Sequence, residues 1–227
     1  MNARVFAIRP QPGLSTTVEA GRALGLDIEE RALAEIHSVA WNAPPDKAFD
    51  ALLLGSANAV RHAGPALARW RGRVAHVVGE ATAAAARETG LAIGLVGQGG
   101  LQQVVDASAG PEGLRLLRLA GAKHAALVSP NGVAIDTRVV YRVAYHRVAP
   151  PLAAELEEGG IVLVHSGEAA RHFADECDRL GIARDRVSLA ALAPRVAQAA
   201  GTGWRRVAVA PRPTDSALLA MVRDMCH

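Results

Sequence analysis

The sequence predicts an α/β protein of two similar lobes, each a parallel sheet flanked by helices, with a two-stranded antiparallel connector joining them. Short β-branched runs alternate with Ala- and Leu-rich amphipathic segments along all 227 residues, which is typical of βαβ units. One ten-residue segment, first seen at residue 53, recurs at residue 163. A third observation is a β-prone run that is longer than an ordinary strand.

Periodicity and punctuation place the individual elements. Predicted strands are Arg4–Ile8, Ala51–Leu54, Arg73–Val78, Ile161–Val164 and Arg206–Ala210. Predicted helices are Leu14–Leu24, Ala57–Ala63, Ala81–Thr89, Leu101–Ala107, Gly167–Leu180, Arg195–Ala200 and Asp215–Met225. A glycine follows the helices that end at residues 24, 89 and 180, where a left-handed residue commonly closes a helix.

The repeat is the most informative feature. Leu53–His62, with the sequence LLGSANAVRH, returns as Leu163–His172, with the sequence LVHSGEAARH. An Arg-Val strand and another Ala-rich helix follow each copy. Because the order of elements repeats along with the residues, we predict two similar α/β lobes.

The β-prone run Val133–Val148 alternates in period two and is too long for one strand of a small lobe. An earlier run, Ala34–Ala40, is expected to close the first strand-helix-strand unit. We predict that 34–40 and 138–148 pair antiparallel as the connector. On this interpretation 1–33 joins 149–227 as a discontinuous outer lobe, and 41–137 forms the inner lobe.

Composition narrows the classes of protein. Half of the residues are apolar and 21% are charged, the balance of a soluble globular protein. The apolar runs are too short for a membrane span, the N-terminus lacks the pattern of a signal peptide, and two cysteines form no CxxC motif. We expect a cytoplasmic monomer that binds neither membranes nor nucleic acid, because aromatic residues are few and the basic residues do not cluster.

The basic residues are nearly all arginine, with only Lys47 and Lys123 as exceptions. Such usage accompanies a GC-rich genome, and it also suits the bidentate capture of carboxylates. Both interpretations stay open on the composition.

Four turns follow predicted strands and start helices. Ser56-Ala57 and Ser166-Gly167 occupy matching places in the repeat, Thr82 lies in a third turn, and Arg9 ends the first strand. The serines can simply cap their helices. Alternatively, the carboxyl ends of parallel strands form a ligand crevice in which free N–H groups hold anions, which favours a large polyanionic ligand between two lobes.

The common nucleotide and metal motifs are missing. Gln102 stands where GxGxxG needs glycine, and neither Ser56 nor Ser166 lies in GxSxG. The histidines show no HxxxH or HExxH spacing. We therefore expect no cofactor and no metal, which leaves a cofactor-free enzyme or a two-lobe binding protein for a small polyanion that performs no chemistry.

Tyr141 and Tyr145 are the two tyrosines of the chain, and both lie in the connector run. Tyrosine packs well in strands, which is one interpretation of both residues. The other is that a phenol between lobes faces the ligand and donates a proton or hydrogen bond, since its ordinary pKa is about 10.

Taken in order, these motifs resemble the uroporphyrinogen-III synthase family across nearly the whole chain. The matching segments are Arg9-Pro10, Gly55–Val60, Val78–Ala83, Gly132–Arg142, Val164–Gly167 and Pro213–Leu219. In the outer lobe the family usually has Gly-Pro-Thr-Thr where this chain has Leu192–Val196. The inner lobe is expected to lack a helix after Leu116–Leu119, with 122–124 leading directly into another strand.

The resemblance implies an enzyme of haem and other porphyrin biosynthesis, a cyclising hydro-lyase whose substrate is hydroxymethylbilane. This linear tetrapyrrole carries eight carboxylates. The resemblance further implies that Tyr141 matches the family's connector tyrosine, the candidate catalytic residue, and that Ser56, Thr82 and Ser166 match substrate-binding positions. It also suggests transient contact with the enzyme that makes the bilane.

Overall fold

The computed structural model describes residues 3–108 and 113–226 and confirms the predicted α/β class. Its strands are β1 Val5–Ala7, β2 Ile28–Glu30, β3 Ala34–Ser38, β4 Ala51–Leu54, β5 Val74–Val78, β6 Ala92–Gly97, β7 Leu114–Gly121, β8 Val133–Tyr145, β9 Gly160–Val164, β10 Val187–Ala191 and β11 Arg206–Val209. Its α-helices are α1 Gly13–Ala23, α2 Ala57–His62, α3 Glu80–Glu88, α4 Leu101–Ser108, α5 Pro150–Glu157, α6 Gly167–Leu180, α7 Pro194–Ala199 and α8 Asp215–Cys226. None of the helices in these ranges is both long and apolar enough to cross a membrane.

The chain divides into two compact units, and unit 1 consists of residues 1–35 and 144–227. Its sheet has the order β11-β10-β9-β1-β2, with parallel pairing throughout. Alternate residues of its central strands enter two separate cores: Phe6 and Val162 enter one, and Val5 and Ile161 the other. A parallel sheet covered on both faces explains why these strands are continuously apolar.

Unit 2 consists of residues 36–143 and contains most of a six-stranded sheet of order β3-β8-β7-β4-β5-β6. The five strands from β8 to β6 are parallel. The outer strand, β3, runs antiparallel to β8, since Val39 N donates to Val140 O and His146 N donates to Leu33 O. Leu52 and Leu54 enter the core on one face of the sheet, and Leu53 enters the core on the other.

Three details of the predicted topology are wrong. The run from Val133 is one strand of 13 residues, whose amino-terminal part pairs with β7 while its carboxyl-terminal part pairs with the segment 33–39. One strand can serve both because its two edges face different neighbours. The short strand β2, not the run 34–40, closes the first strand-helix-strand unit by pairing with β1. After β7 the chain forms a loop, and the next strand begins only at Val133.

The sequence was expected to lack a helix after β7, and a loop of residues 122–132 lies there. Two hydrogen bonds join the Gln102 side-chain amide to the backbone of Val128, at 2.8 Å to its oxygen and 2.9 Å from its nitrogen. Leu127 packs against the core that contains Leu53. The loop therefore covers the sheet without regular secondary structure.

Candidate functional site

In each unit the strands run parallel, so their carboxyl ends lie at one edge of the sheet, where α/β proteins bind ligands. In unit 1 this edge carries Arg9 after β1 and the pair Ser166-Gly167 after β9. In unit 2 it carries Ser56-Ala57 after β4, Thr82 after β5, and Tyr141 beside the end of β7. The seven residues predicted from sequence thus occupy the carboxyl edges of two sheets, and each edge is described separately.

The carboxyl edge of unit 1 holds a charged network centred on Asp215, the first residue of α8. Arg9 donates from one terminal nitrogen to the two Asp215 oxygens, at 2.9 and 3.1 Å. The hydroxyl of Thr17 donates to Asp215 at 2.7 Å and accepts from Arg9 at 3.0 Å. His165 Nε2 lies 3.0 Å from the other Asp215 oxygen. The side chains of Arg9, Thr17, His165 and Asp215, from distant parts of the sequence, therefore form one hydrogen-bonded network.

Burial and pairing act in opposite directions on the two titratable groups of this network. Burial opposes ionisation of Asp215, but the hydrogen bond from His165, helped by Arg9 and Thr17, outweighs it and lowers the pKa of Asp215 to about 2. The side chain of His165 is 7% exposed, and burial lowers its pKa despite the bond to Asp215. The imidazole is therefore neutral at pH 7, with its proton on Nε2, facing the carboxylate. Its Nδ1 is buried without a hydrogen-bond partner in the described residues.

The Ser166-Gly167 turn starts the longest helix of unit 1. Ser166 caps α6 by accepting a hydrogen bond from the backbone nitrogen of Ala169 at 3.1 Å. A Cβ on Gly167 would lie 3.2 Å from the Ala199 side chain, so a larger residue would crowd the contact with α7. Ser166 thus acts as a helix cap.

The neighbouring turn, after β10, differs from the family pattern. Helix α7 begins at Pro194, and its preceding residue, Ala193, supplies no side-chain cap. Val196 is buried in the core, whereas Arg195 is exposed. Where the family usually has two threonines, this chain therefore offers a core residue and an exposed cation.

At the carboxyl edge of unit 2, the candidate residues that follow β4 and β5 are small and uncharged. Ser56 caps α2 and accepts from the backbone nitrogen of Asn58 at 3.2 Å. Ala57 is the first residue of that helix. Thr82 is buried at 4% exposure in the first turn of α3, which follows Gly79 at a φ of +78°. Because a side chain is disfavoured at that φ, glycine allows the chain to turn directly from β5 into α3.

Tyr141 lies at the same edge, directly beside the last residue of β7. A Cβ on Gly121 would lie 2.7 Å from Tyr141 Cζ and 3.0 Å from its hydroxyl, so glycine makes room for the phenol ring. The ring of His62 is 6.1 Å from that of Tyr141, centroid to centroid. The ring of Tyr141 therefore packs between Gly121 and the ring of His62.

Arg118 on β7 is a buried cation near Tyr141. It is 7% exposed and donates to the carbonyl of Ala125 at 2.8 Å, while its Nε has no hydrogen-bond partner in the described residues. Burial lowers the pKa of Arg118, and the nearby Tyr141 opposes that shift. Within residues 3–108 and 113–226 no carboxylate forms an ion pair with Arg118, and burying an unpaired guanidinium is costly, so packing alone does not explain a cation at this position.

Sequence reasoning missed Thr17, His165, Asp215 and Arg118 as site residues. The missed signal for Arg118 is a cation placed between the buried residues Leu117 and Leu119 of β7. For Asp215 it is the acidic first residue of α8, inside a motif already matched to the family. Across residues 3–108 and 113–226, no group of three metal-binding side chains comes together.

Comparison with known proteins gives two concordant results. The family model described as uroporphyrinogen-III synthase HemD matches residues 15–220. The structure resembles uroporphyrinogen-III synthetase from Helicobacter pylori 26695, with a TM-score of 0.65 and 16% identity over 98% of this chain and 99% of that one. A mutant uroporphyrinogen III synthase from the extremely thermophilic bacterium Thermus thermophilus gives a TM-score of 0.52 and 17% identity over 98% and 99% of the two chains. A search of the curated proteins found no match.

Proposed function

The chain belongs to the uroporphyrinogen-III synthase family, and from that premise we propose that it cyclises hydroxymethylbilane to uroporphyrinogen III. The observation that carries this proposal is the family match over residues 15–220, which includes every candidate site residue except Arg9. The reaction removes water and inverts the terminal pyrrole ring, within the biosynthesis of haem and other tetrapyrroles.

The chemistry needs an acid and a firm hold on the substrate. Departure of the hydroxyl group as water leaves an azafulvene electrophile. Attack by the substituted carbon of the terminal ring gives a spiro intermediate, which reopens and recloses with that ring inverted. Because the bilane also cyclises without inversion when unassisted, the protein must impose geometry as well as rate, and it does so by positioning.

In unit 2 we assign the acid role to Tyr141. Its phenol O–H can donate a hydrogen bond or a proton to the departing hydroxyl. Gly121, which has no side chain, leaves room for the phenol ring at the carboxyl edge of the sheet. Ser56, Ala57 and Thr82 lie at the helix starts of the same edge, where hydroxyl and backbone groups suit substrate carboxylates.

In unit 1 we assign carboxylate binding to Arg9, Ser166 and Gly167. The ionised carboxylate of Asp215 fixes the guanidinium of Arg9 at the edge, so that the cation is oriented before substrate arrives. A preoriented guanidinium loses less conformational entropy on binding an anion. Gly167 avoids a crowded contact with Ala199 of α7 and lies at a helix start, where backbone amides can bind anions.

We further propose that the protein acts without a cofactor or metal, as a cytoplasmic monomer. The proposed steps need only proton transfer and positioning, which the side chains named above supply. Transient contact with the enzyme that makes the bilane would limit the spontaneous side reaction.

The decisive experiment supplies freshly made hydroxymethylbilane to the purified protein with no metal or cofactor added. We expect the type III isomer, separated from type I by chromatography after oxidation. Formation of type I alone at the spontaneous rate would contradict the proposal, and binding of the bilane without turnover would favour a two-lobe binding protein.

A further inference from the structure

Two polar side chains of unit 2, those of Ser38 and His62, lie beside Tyr141. The proposed role of Tyr141 does not by itself require them. The bonds from Val39 N to Val140 O and from His146 N to Leu33 O fix the register of β3 on β8. That register places Ser38 directly opposite Tyr141, in a pair that exchanges no backbone hydrogen bonds. Side chains of such pairs approach most closely in an antiparallel ladder.

His62, the last residue of α2, bonds to Ser38 and packs near Tyr141. Ser38 Oγ lies 3.0 Å from His62 Nδ1. The imidazole and phenol rings are 6.1 Å apart and inclined at 39°, within the range of favourable ring contacts. With Gly121 against the phenol, the ring of Tyr141 is confined by a glycine and by a histidine that a cross-strand serine orients.

The second copy of the repeat contains a comparable pair. His172 occupies the position in the second copy that His62 occupies in the first. Its ring lies 4.8 Å from that of Tyr145, at 38°. His172 is oriented differently, however, because its Nε2 lies 2.6 Å from the carbonyl oxygen of His146. The ring contact therefore recurs while the partner that orients each histidine differs.

We infer that His62, oriented by Ser38, is a positioning residue that holds the phenol of Tyr141 for the reaction. This inference rests on the proposed function of Tyr141. His62 acts through ring contact, and the bond to Ser38 limits rotation of the imidazole. Because a displacement of about 1 Å in a reacting group can cost roughly 10²-fold in rate, confinement of the phenol affects turnover more than substrate binding.

The charges around the pair determine how it responds to pH. Burial, and to a lesser extent Arg61 and His37, lower the pKa of His62, so its imidazole is neutral at pH 7. The guanidinium of Arg118 also lies near Tyr141. Protonation of His62 in mild acid places a second positive charge beside the phenol, and the electronic environment of the phenol carbon should report it.

A spectroscopic experiment tests the contact without using activity. In a Tyr145→Phe chain Tyr141 is the remaining tyrosine, so tyrosine labelled with ¹³C at Cζ gives one signal. We expect its shift to change with pH at a midpoint below 6.5, the ordinary pKa of histidine. The step should vanish in His62→Phe and persist in His172→Phe. A step that persists in His62→Phe, or no step at all, would overturn the contact.

A kinetic experiment tests the positioning role. His62→Ala should lower kcat roughly 10- to 100-fold with little change in KM, and His62→Phe, which keeps a ring, should lose less. His172→Ala, the matched control, should keep wild-type kcat. Equal losses in His62→Ala and His172→Ala would contradict the inference, as would unchanged kcat in His62→Ala alongside a slow Tyr141→Phe. If Tyr141→Phe itself is fully active, the proposed role of Tyr141 fails while the spectroscopic contact still stands.

Discussion

The turns that follow β4 and β9 share a capping serine, but the residues around the two serines differ in charge. In unit 1 the residue before the serine is His165, which joins the network of Arg9, Thr17 and Asp215. In unit 2 the corresponding residue is Gly55, where a Cβ would lie 3.3 Å from the side chain of Leu101. The same strand-turn-helix backbone therefore carries a charged cluster in one unit and an apolar contact in the other.

The difference in charge between the two turns suggests that the same strand-turn-helix motif serves substrate binding in unit 1 and turnover in unit 2. At the edge of unit 1 the charged side chains pair with one another, and the ion pair with Asp215 restrains Arg9. Among the described residues, the edge of unit 2 shows no such ion pair around Ser56. Its polar group of chemical interest is the phenol of Tyr141, and the buried side chain of Arg118 lies nearby. We expect substitutions in unit 2 to change turnover, and substitutions in the network of unit 1 to change stability and substrate affinity.

The largest expected effect is that of Tyr141→Phe, which removes one hydroxyl and keeps the ring. If the phenol assists departure of water, kcat should fall by roughly 10²–10⁴, toward the lower end because the bilane loses hydroxyl readily unaided. The preference for type III should survive, since positioning by Ser56 and Thr82 is untouched. Single-turnover kinetics with isomer analysis checks both statements.

Tyr145→Phe is the matched control for that prediction, because Tyr145 pairs with His172 in unit 1 and should contribute far less. Equal, small losses for both variants would make Tyr141 a packing residue. Near-normal turnover with a lost preference for type III would instead make it a group that orients the substrate.

Asp215→Asn should act mainly on the stability of unit 1. The neutral amide loses the ion pair with Arg9 and offers one acceptor oxygen where the carboxylate offers two, so the donors Arg9, Thr17 and His165 can no longer all be satisfied at this partly buried position. We expect a loss of about 1–3 kcal/mol in the free energy of unfolding, with a raised KM because Arg9 is no longer held. Hydrogen exchange should accelerate in the peptides of unit 1 and stay unchanged in 36–143; acceleration only in 36–143 would contradict this assignment.

How far the sequence predicts the structure depends on how local the signals are. Helix α6 and strand β4 were predicted to the residue, because Ser166 and Gly181 cap the helix and the strand is a short, fully apolar run. Strand β2 was missed because Ile28 is its single buried residue, and α5 because it opens with two prolines. The lobe boundaries 1–33 with 149–227, and 41–137, stay a prediction that limited proteolysis can test.

The site divides in the same way. Ser56, Thr82, Ser166 and Tyr141 were predicted from local motifs, and their roles stay a prediction. The pairing of Arg9 with Asp215 joins residues 206 positions apart, and no periodicity or spacing reports a contact that only the folded sheet creates. The burial of Arg118 likewise depends on the loop that covers β7.

The smallest expected effect is a pH dependence of the free energy of unfolding, which we expect to arise from His165 in unit 1. The folded-state pKa of His165 is lowered by burial, so its contribution to stability is complete above the unfolded pKa of about 6.5. Below that pH the unfolded chain binds a proton that the folded chain does not, and stability is lost by up to about 1.4 kcal/mol per pH unit until the lower folded pKa is reached. The low pKa of Asp215, about 2, adds little loss between pH 7 and pH 5, because the unfolded chain takes up a proton at this carboxyl only as the pH approaches the unfolded pKa of about 3.9.

Urea unfolding at pH 7 and pH 5 measures this contribution when the wild type is compared with His165→Asn. The free-energy advantage of the wild type should shrink on acidification, because the variant has no imidazole to protonate at this position. Thr17→Val is the control: it removes a hydrogen bond of Asp215 without removing a titrating group, so its cost should be similar at the two pH values. A wild-type advantage over His165→Asn that is constant or grows toward pH 5 would mean that His165 is charged in the folded protein, and the network would then be an ion triad instead of a carboxylate paired with a neutral imidazole.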